Sequence, residues 1–143
     1  MVPTKSLLIR SSSLPDAGMG LFTTVDIHKG ERIVEYKGRL VKWKDVKHTD
    51  GHNGYLLRLD RSLAIDARPK NSGKGRYAND AMGLVRLPGL RNNAEYLIYG
   101  KRVFIEATRN IRKGEEVLVA YGREFWALQR KLKADRKREN RQH

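Results

Sequence analysis

Short apolar runs separated by polar turns make up most of the chain. Each run is only a few residues long and carries β-branched or aromatic side chains, a composition that favours strands. Gly, Asp and Asn occupy many of the intervals between the runs, as turns require. Strands at this spacing indicate a mainly β (α+β) domain rather than a βαβ array. The predicted strands cover residues 7–9, 21–22, 33–36, 55–59, 63–65, 103–105 and 117–119.

Two stretches have helical patterns. A short helix is predicted over residues 41–46, and a longer C-terminal helix over residues 124 to about 140. The longer helix places apolar residues at i, i+3 and i+7, so that they share one face. These residues are Phe125, Leu128 and Leu132. Because the last turns lack large apolar side chains, we predict a domain over residues 1–126 and a basic helical extension over residues 127–143.

Charge and size limit the class of protein. The chain has 143 residues, the size of one domain, and a formal net charge of +14. Such an excess predicts attraction to an acidic partner, such as nucleic acid or an acidic protein face. Residues 130–143 hold seven Lys or Arg and two acidic residues, so most of the excess lies in the body of the chain. No apolar run approaches the length of about 18 residues that a membrane span needs, so no membrane association is expected.

Metal chemistry is limited by the residue types available. The chain contains no cysteine, which excludes disulfides and Cys-based zinc sites within it. His48 and His52 are spaced i, i+4, as a pair of metal ligands on a helix would be. However, Asp50 and Gly51 lie between them, and this composition favours a solvated loop. We therefore expect no metal site.

Three separated blocks carry the candidate chemistry. Gly18-Met19-Gly20-Leu21-Phe22 offers a tight turn with exposed amides and no Cβ to obstruct a ligand. Arg76-Tyr77-Ala78-Asn79-Asp80 follows a Gly-rich loop and presents an amide that can bridge backbone groups or bind a polar ligand. Val119-Ala120-Tyr121-Gly122 ends an apolar run with an aromatic residue. Each block alone is better explained as an ordinary turn, cap or core-edge aromatic, so the information lies in their order.

In that order, and together with further matching segments between them, the blocks resemble the SET domain of protein lysine methyltransferases. The further segments are Gly30-Glu31, Glu35-Tyr36-Lys37-Gly38, Ile65-Asp66-Ala67 and Gly114-Glu115-Glu116-Val117. The resemblance covers about residues 5–126. It implies a SET-domain β-clip in which the closing segment threads past Asn79 to form a pseudoknot. It also implies S-adenosyl-L-methionine as methyl donor and a lysine side chain of a histone, chromatin-like or ribosomal protein as acceptor.

The resemblance also assigns roles to individual residues. Tyr121 and Tyr55 are the catalytic candidates, which line a narrow channel where the Tyr121 hydroxyl orients the amine. Asn79 would bind the amino-acid end of the cofactor, and the backbone at Asp80 would bind the adenine. The full cofactor-binding set is Gly18, Met19, Gly20, Leu21, Tyr55, Arg76, Asn79, Asp80, Tyr121 and Trp126.

The lysine end of the channel is assigned to Tyr96 and Phe125. Many members of the family complete this channel with Cys-rich zinc clusters, which a chain without cysteine cannot form. Phe125 and Trp126 are the expected replacement, with Trp126 stacking near the adenine or closing the channel. An equally weighted alternative is that Trp126 fastens the C-terminal helix to the core.

The chain departs from the family pattern in its middle and closing blocks. Asp80 stands where the family has His, Ala81 where it has Ser, and Ala120 where Asp is common. The insertion over residues 83–91 is longer than usual. If the family His acts through its backbone, adenine binding survives the change; if its side chain packs between strands, Asp80 needs another partner. These departures raise the question of cofactor affinity more than of fold.

Two alternatives to an active enzyme stay open. Asp80 and Ala81 suggest a catalytically degenerate SET module that acts as a binding domain. The basic surface and tail suggest a weak contact with nucleic acid, or a basic nucleic-acid-binding protein of unrelated mechanism. The sequence allows a monomer or a homodimer. We expect an intracellular protein, cytoplasmic if microbial and nuclear or chromatin-bound if eukaryotic or viral.

Overall fold

The computed structural model describes residues 1–49, 54–69, 71–82 and 86–120. In these ranges the chain forms short strands and one single-turn helix, α1 (Trp43–Val46). The strands are β1 (Leu7–Ser11), β2 (Met19–Thr23), β3 (Arg32–Glu35), β4 (Arg39–Lys42), β5 (Leu56–Arg58), β6 (Leu63–Asp66), β7 (Ala94–Tyr99), β8 (Arg102–Ala107) and β9 (Glu116–Val117). Single 3₁₀ turns cover Thr4–Ser6, Lys47–Thr49 and Gly75–Tyr77.

The strands form small antiparallel sheets of three strands each. Their orders are β1-β2-β9, β3-β8-β7 and β4-β6-β5. Each of the seven predicted runs falls on one of these strands, so the prediction of a mainly β domain is confirmed. The sheets are too small to bury two faces alone, and they are stable only because they pack against one another around shared side chains.

The main core lies between the first two sheets. Leu21 of β2 and Ile105 of β8 are fully buried there, and Ile27 and Ile111 join them from the connecting loops. A second cluster lies against the third sheet and contains Tyr36, Ile65, Ala67 and Val103. Tyr96 packs against both clusters, so β7 links the main core to the third sheet.

Two similar turns close the main core by a reciprocal exchange of hydrogen bonds. The Lys29 amide donates to Asn110 Oδ1 (2.8 Å), and the Lys113 amide donates to Asp26 Oδ1 (2.9 Å). Gly30 and Gly114 take matching left-handed conformations, with φ of +89° and +90°. The turns over residues 27–31 and 111–116 are therefore equivalent in conformation and pair with each other.

The closing segment threads between two earlier parts of the chain. The Val119 amide donates to the Asn79 carbonyl (2.8 Å), in parallel pairing. On the other side, Asn93 Oδ1 accepts from the Leu118 amide (2.9 Å), and Asn93 Nδ2 donates to the Glu116 carbonyl (2.9 Å). Asn93 is buried, so these bonds are shielded from water. This is the threaded arrangement that the resemblance implied.

Two elements differ in detail from the prediction. Val41 and Lys42 were expected in a helix, but they pair with Ala64 and Leu63 and end β4, which leaves only the single turn of α1 as helix. Strand β7 was not predicted, because its side chains do not alternate cleanly between polar and apolar. It pairs with β8 along its whole length, so tertiary pairing decides its conformation.

Several predictions concern residues outside the described ranges. The helix over 124–140 and the extension over 127–143 are among them, as are Tyr121, Phe125, Trp126 and His52. Within the described ranges, no helix has the length and apolar character required to span a bilayer.

Candidate active site

The first block presents an open edge of backbone at Gly18 and Met19. Gly18 ends the loop between β1 and β2, where its carbonyl accepts from the Ser12 amide (2.8 Å). Its φ of +68° is one that a side chain would strain, and nothing lies within 4 Å of where a Cβ would stand. The Met19 side chain is 46% exposed. The space beside Gly18 and the exposure of Met19 leave room for a ligand at this edge.

A glycine is required at position 20 for a different reason, which is the lack of space for a side chain. Gly20 is buried, and a Cβ at this position would collide with the Glu116 carboxylate and approach the Ser12 Cα to 3.2 Å. The Glu116 carboxylate accepts from the Ser12 hydroxyl (2.7 Å) and from the Ser13 amide (2.9 Å). This buried group thus ties the Gly18 loop to β9, and Gly20 provides the space for it.

The Asn79 side chain joins the first two blocks, because its amide Nδ2 donates to the Met19 carbonyl (3.0 Å). Its backbone carbonyl accepts from Val119 of the third block (2.8 Å). The three separated sequence blocks therefore meet at one residue. Tyr121 follows Val119 by two positions but lies outside the described ranges.

Asp80 is buried, and its carboxylate accepts hydrogen bonds from nearby residues. Its Oδ1 accepts from the Asn92 side chain (2.7 Å) and from the Met82 amide (2.8 Å). Asn92 in turn accepts from the Ala81 amide (2.8 Å), which makes a reciprocal link between the two segments. The departure from the family His is thus accommodated by Asn92, at the end of the long insertion.

Ala81 is fully buried beside Leu14 and Leu118, with Leu90 of the insertion packed against them. A small apolar residue suits this site, because a serine hydroxyl there would need a buried hydrogen-bond partner. Both unusual residues of the middle block are therefore well packed or hydrogen-bonded.

An aromatic group lies on the other side of the site. The Tyr36 hydroxyl donates to the Tyr55 carbonyl (2.8 Å), and the Tyr36 and Tyr96 rings meet edge to face at 5.5 Å between centroids. Tyr55 and Tyr96 are both partly buried, and both pack against the second core cluster. Two of the predicted channel residues, Tyr55 and Tyr96, are therefore brought together through Tyr36.

Arg76 holds this aromatic side in place. Its guanidinium donates to the Ala67 carbonyl (2.7 Å), the Arg68 carbonyl (3.0 Å) and the Tyr77 hydroxyl (3.1 Å). The same group lies 4.2 Å from the centroid of the Tyr55 ring, within cation–π range. Arg76 is 9% exposed, so it is a buried charge with directed partners rather than a surface cation.

Four residues important to this geometry were missing from the predicted site. In the sequence, Glu116 is one of several charged residues in a predicted turn, and Asn93 is a polar residue in a predicted loop. Their burial becomes visible only once the closing segment is threaded through the fold. Tyr36 and Tyr77 lie inside the matched blocks, so their aromatic character was a signal that could have been used. These residues are Tyr36, Tyr77, Asn93 and Glu116.

Comparison with known proteins agrees with this geometry. The family model described as the SET domain matches residues 18–122. The chain belongs to the SET-domain family. The matched range includes all three blocks and the threaded closing segment, so the resemblance predicted from the sequence is confirmed.

The SET-domain relatives are larger proteins. The histone-lysine N-methyltransferase ASHH3 of Arabidopsis thaliana is 34% identical over 113 residues, which are 73% of this chain and 29% of that protein. The N-lysine methyltransferase KMT5A of Xenopus tropicalis is 31% identical over 118 residues, 73% of this chain and 33% of that protein. The chain thus spans about a third or less of the length of these curated relatives.

A solved structure shares the fold. It is described as a humanized mutant of the Chaetomium thermophilum Polycomb Repressive Complex 2 bound to the inhibitor GSK126. The match has a TM-score of 0.66 and 27% identity, and it covers 87% of this chain and 16% of that one. This likeness agrees with the β-rich SET-domain architecture described above.

Proposed function

We propose that the chain is a protein-lysine N-methyltransferase that uses S-adenosyl-L-methionine. The observation that supports this most directly is the convergence of the three blocks at Asn79, which contacts Met19 and Val119. The relatives that match are named lysine methyltransferases. The buried hydrogen bonds of Asp80 argue against decay of the middle block.

The residues present fit the cofactor. When bound, S-adenosyl-L-methionine supplies a methyl group on a positively charged sulfur. The open backbone at Gly18 and Met19 leaves space for a close approach by its methionine portion. The Asn79 side chain would bind the amino-acid end, and the backbone at Asp80 the adenine. The proposed set is completed by Gly20, Leu21, Tyr55, Arg76, Tyr121 and Trp126.

The aromatic side would prepare the lysine. A free lysine has a pKa of about 10.4, so fewer than about one in a thousand is neutral and able to attack at pH 7. Burial among Tyr55 and Tyr96 disfavours the ammonium form. The buried guanidinium of Arg76, 4.2 Å from the Tyr55 ring, adds like-charge repulsion. The Tyr121 hydroxyl would orient the neutral amine, and Phe125 would help to close the channel.

The substrate class follows from the relatives and the charge. Two of the relatives named above methylate lysine, and one carries histone in its name, so histones are the first candidates. Other DNA-bound proteins and ribosomal proteins are the next, because a net charge of +14 favours acidic assemblies. We propose an intracellular site of action, in chromatin if the source is eukaryotic.

A methyl-transfer assay tests the proposal. Calorimetric titration should detect cofactor binding, and labelled methyl groups should reach a lysine in a panel of histones, chromatin proteins and ribosomal proteins. Tyr121→Phe should keep cofactor affinity within about threefold but lower turnover by about 10²-fold or more, because a positioned hydroxyl is lost near the reacting atoms. Tyr99→Phe, at the exposed end of β7, is the matched control and should leave turnover unchanged.

Two results would count against the enzyme. Absence of cofactor binding would remove the methyltransferase proposal altogether. Binding with no transfer to any protein of the panel would favour a binding module instead. Unchanged turnover in Tyr121→Phe would overturn only the role given to that residue.

A further inference from the structure

A basic surface surrounds Trp43, away from the site described above. Trp43 begins α1 directly after β4, and its amide donates to the Ser62 carbonyl in the turn between β5 and β6 (2.8 Å). This bond brings the helix, the turn and the end of β5 together. The side chains around Trp43 are mostly cationic, and we call them the Trp43 patch. The patch consists of Lys42, Trp43, Lys44, Lys47, Arg58 and Arg61.

Arg58 is held in a fixed orientation on this surface. Its guanidinium lies 4.3 Å from the centroid of the Trp43 ring. Its Nε donates to the Asp60 carbonyl (2.8 Å), and its Nη2 donates to the Arg61 carbonyl (3.2 Å). A stacked and hydrogen-bonded guanidinium loses less rotamer entropy when it binds an oxyanion than a flexible lysine does. Arg58 is nonetheless classed as exposed, so it is accessible to a partner.

The charge of the patch is not balanced locally. All five cations are exposed, whereas the neighbouring carboxylates in the described ranges are Asp45 and Asp60. Asp60 accepts from the amides of Ser62 and Leu63 (2.8 Å each), and these bonds lower its pKa. The lowered pKa keeps Asp60 ionised, and the nearby Arg58 contributes to this shift through its charge. Two carboxylates in the described ranges, Asp45 and Asp60, therefore face five exposed cations, which leaves an excess of positive charge.

We propose that the Trp43 patch binds the phosphate backbone of a nucleic acid. Phosphate contacts need several cations along a surface and are strengthened by an arginine held in place. Arg58 covers one face of the Trp43 ring, and the opposite face is the one on which a base would stack. The overall net charge of +14 attracts a long polyanion over many contacts, which a short acidic peptide cannot match.

The position of the patch gives it a second consequence, which rests on the proposed function. Arg58 pairs with Ala64 on β6, whereas Tyr55 lies three residues earlier and its carbonyl accepts from Ala67 (3.0 Å). Three residues along a strand span about 10 Å. A protein bound to nucleic acid at the patch could therefore present a lysine to the aromatic side of the site.

The test compares two triple variants of equal charge in the full chain. Lys42→Gln/Lys44→Gln/Arg58→Gln removes three cations from the patch, and Arg109→Gln/Arg112→Gln/Lys113→Gln removes three exposed cations from the paired turns. Binding to a fluorescent duplex of about 25 base pairs, and to RNA of the same length, is followed by anisotropy at several salt concentrations. The C-terminal tail is intact in both variants.

The patch variant should bind about tenfold or more weakly at about 0.1 M salt, and its salt slope should fall by about 2 to 3. The control should stay within about threefold of the parent. Equal losses in both variants would overturn the proposal in favour of diffuse charge attraction. Polyglutamate that displaces the duplex at equal charge concentration would also overturn it, in favour of an acidic protein partner.

Two further variants separate a direct loss of binding from a folding defect and from a loss of charge. Lys42→Gln/Lys44→Gln leaves the stacked Arg58 untouched, so a folding defect cannot explain its loss of affinity; its control is Arg109→Gln/Arg112→Gln. Trp43→Leu keeps the charge and should weaken RNA binding more than duplex binding, because stacking needs an unpaired base. The assay uses no methyl donor, so failure here is distinct from failure of the proposed enzyme activity.

Discussion

The two sides of the site are stabilised in different ways. One side contains Asn79, Asn93 and Glu116, and we call it the cofactor side because it includes residues of the proposed cofactor-binding set. It is held by hydrogen bonds among separate segments of the chain. The aromatic side depends on two buried side chains: Tyr36 joins Tyr55 to Tyr96, and Arg76 contacts Tyr55, Tyr77 and the Ala67 carbonyl. A single substitution should therefore disturb the aromatic side as a whole, whereas the cofactor side should lose stability in smaller, separate steps.

This contrast has a functional meaning. A site built largely from hydrogen-bonded backbone would give the proposed cofactor a pocket of fixed shape. In the proposed reaction, the aromatic side would control the protonation of the incoming amine, and charge and aromatic packing suit that task. Substitutions on the two sides should thus separate cofactor affinity from turnover.

The largest effect is expected at Arg76. Arg76→Met keeps some of the volume but removes the charge and the donors to the Ala67 and Arg68 carbonyls. Loss of the donors to the buried Ala67 carbonyl and the part-buried Arg68 carbonyl, together with the contact on the Tyr55 ring, should cost about 3–5 kcal/mol in the free energy of unfolding, measured by denaturant titration. In the folded fraction, cofactor affinity should fall because Arg76 belongs to the proposed cofactor-binding set, and turnover should fall further because the aromatic side is disturbed as well.

Arg76→Lys is the comparison variant for this prediction. It retains the positive charge but cannot reach the carbonyls and the Tyr77 hydroxyl together, because it lacks the planar fork of arginine. We expect intermediate stability and a partial return of turnover. If Arg76→Met lost cofactor affinity and turnover equally, the two sides would not be separable, and the comparison drawn above would be wrong.

A smaller effect is expected on the cofactor side, where two glycines form a matched pair. Gly20→Ala should cost about 1–3 kcal/mol and weaken cofactor binding, because the new methyl group collides with the Glu116 carboxylate. Gly18→Ala places its methyl group in open space, so only the strained φ of +68° remains, about 1–2 kcal/mol. Denaturant titration and calorimetry with the cofactor measure both quantities.

The double variant Gly20→Ala/Glu116→Ala completes this prediction. Removing the carboxylate should relieve part of the collision, so the two changes should be less than additive in the free energy of unfolding. Strict additivity would mean that Gly20 is small for a reason other than Glu116. In that case the ligand-facing interpretation drawn from the sequence would regain support.

Most of the β framework could be predicted from the sequence, and the reason is local. Runs such as residues 103–105 are short, β-branched or aromatic, and fully or nearly fully buried in β8. Strand β7 was not predictable in this way, since its conformation depends on pairing with β8 rather than on its own pattern. The same holds for Val41 and Lys42, whose pairing with β6 overrides a weak helical pattern.

The sequence was sufficient to propose which residues belong to the candidate site, but not which residues contact one another there. The resemblance selected Tyr55, Arg76 and Asn79 by matching order, without indicating what each one contacts. The buried positions of Glu116 and Asn93 follow from the threading of the closing segment, which joins residues far apart in the chain. Such long-range relations leave no periodic signal, so single-residue reasoning assigned these polar groups to turns.

The smallest predicted effect concerns the link between Asp80 and Asn92. Asp80→Ala and Asn92→Ala each remove one partner of the 2.7 Å hydrogen bond between the two side chains. Each should lower the free energy of unfolding by about 0.5–1.5 kcal/mol, because one part-buried hydrogen bond is lost while Asp80 keeps the Met82 amide and Asn92 keeps the Ala81 amide. The double variant should lose less than the sum, with a coupling of about 1 kcal/mol in a double-mutant cycle.

This cycle separates two roles for the unusual Asp80. If the side chain serves only to join the middle block to the segment at Asn92, both single variants should bind the cofactor within about threefold of the parent once stability is corrected. The backbone at Asp80 would then be sufficient for adenine. A large loss of affinity in Asp80→Ala but not in Asn92→Ala would mean that the Asp80 carboxylate itself contacts the cofactor. The cofactor side would then bind its ligand through a charged side chain as well as through backbone groups.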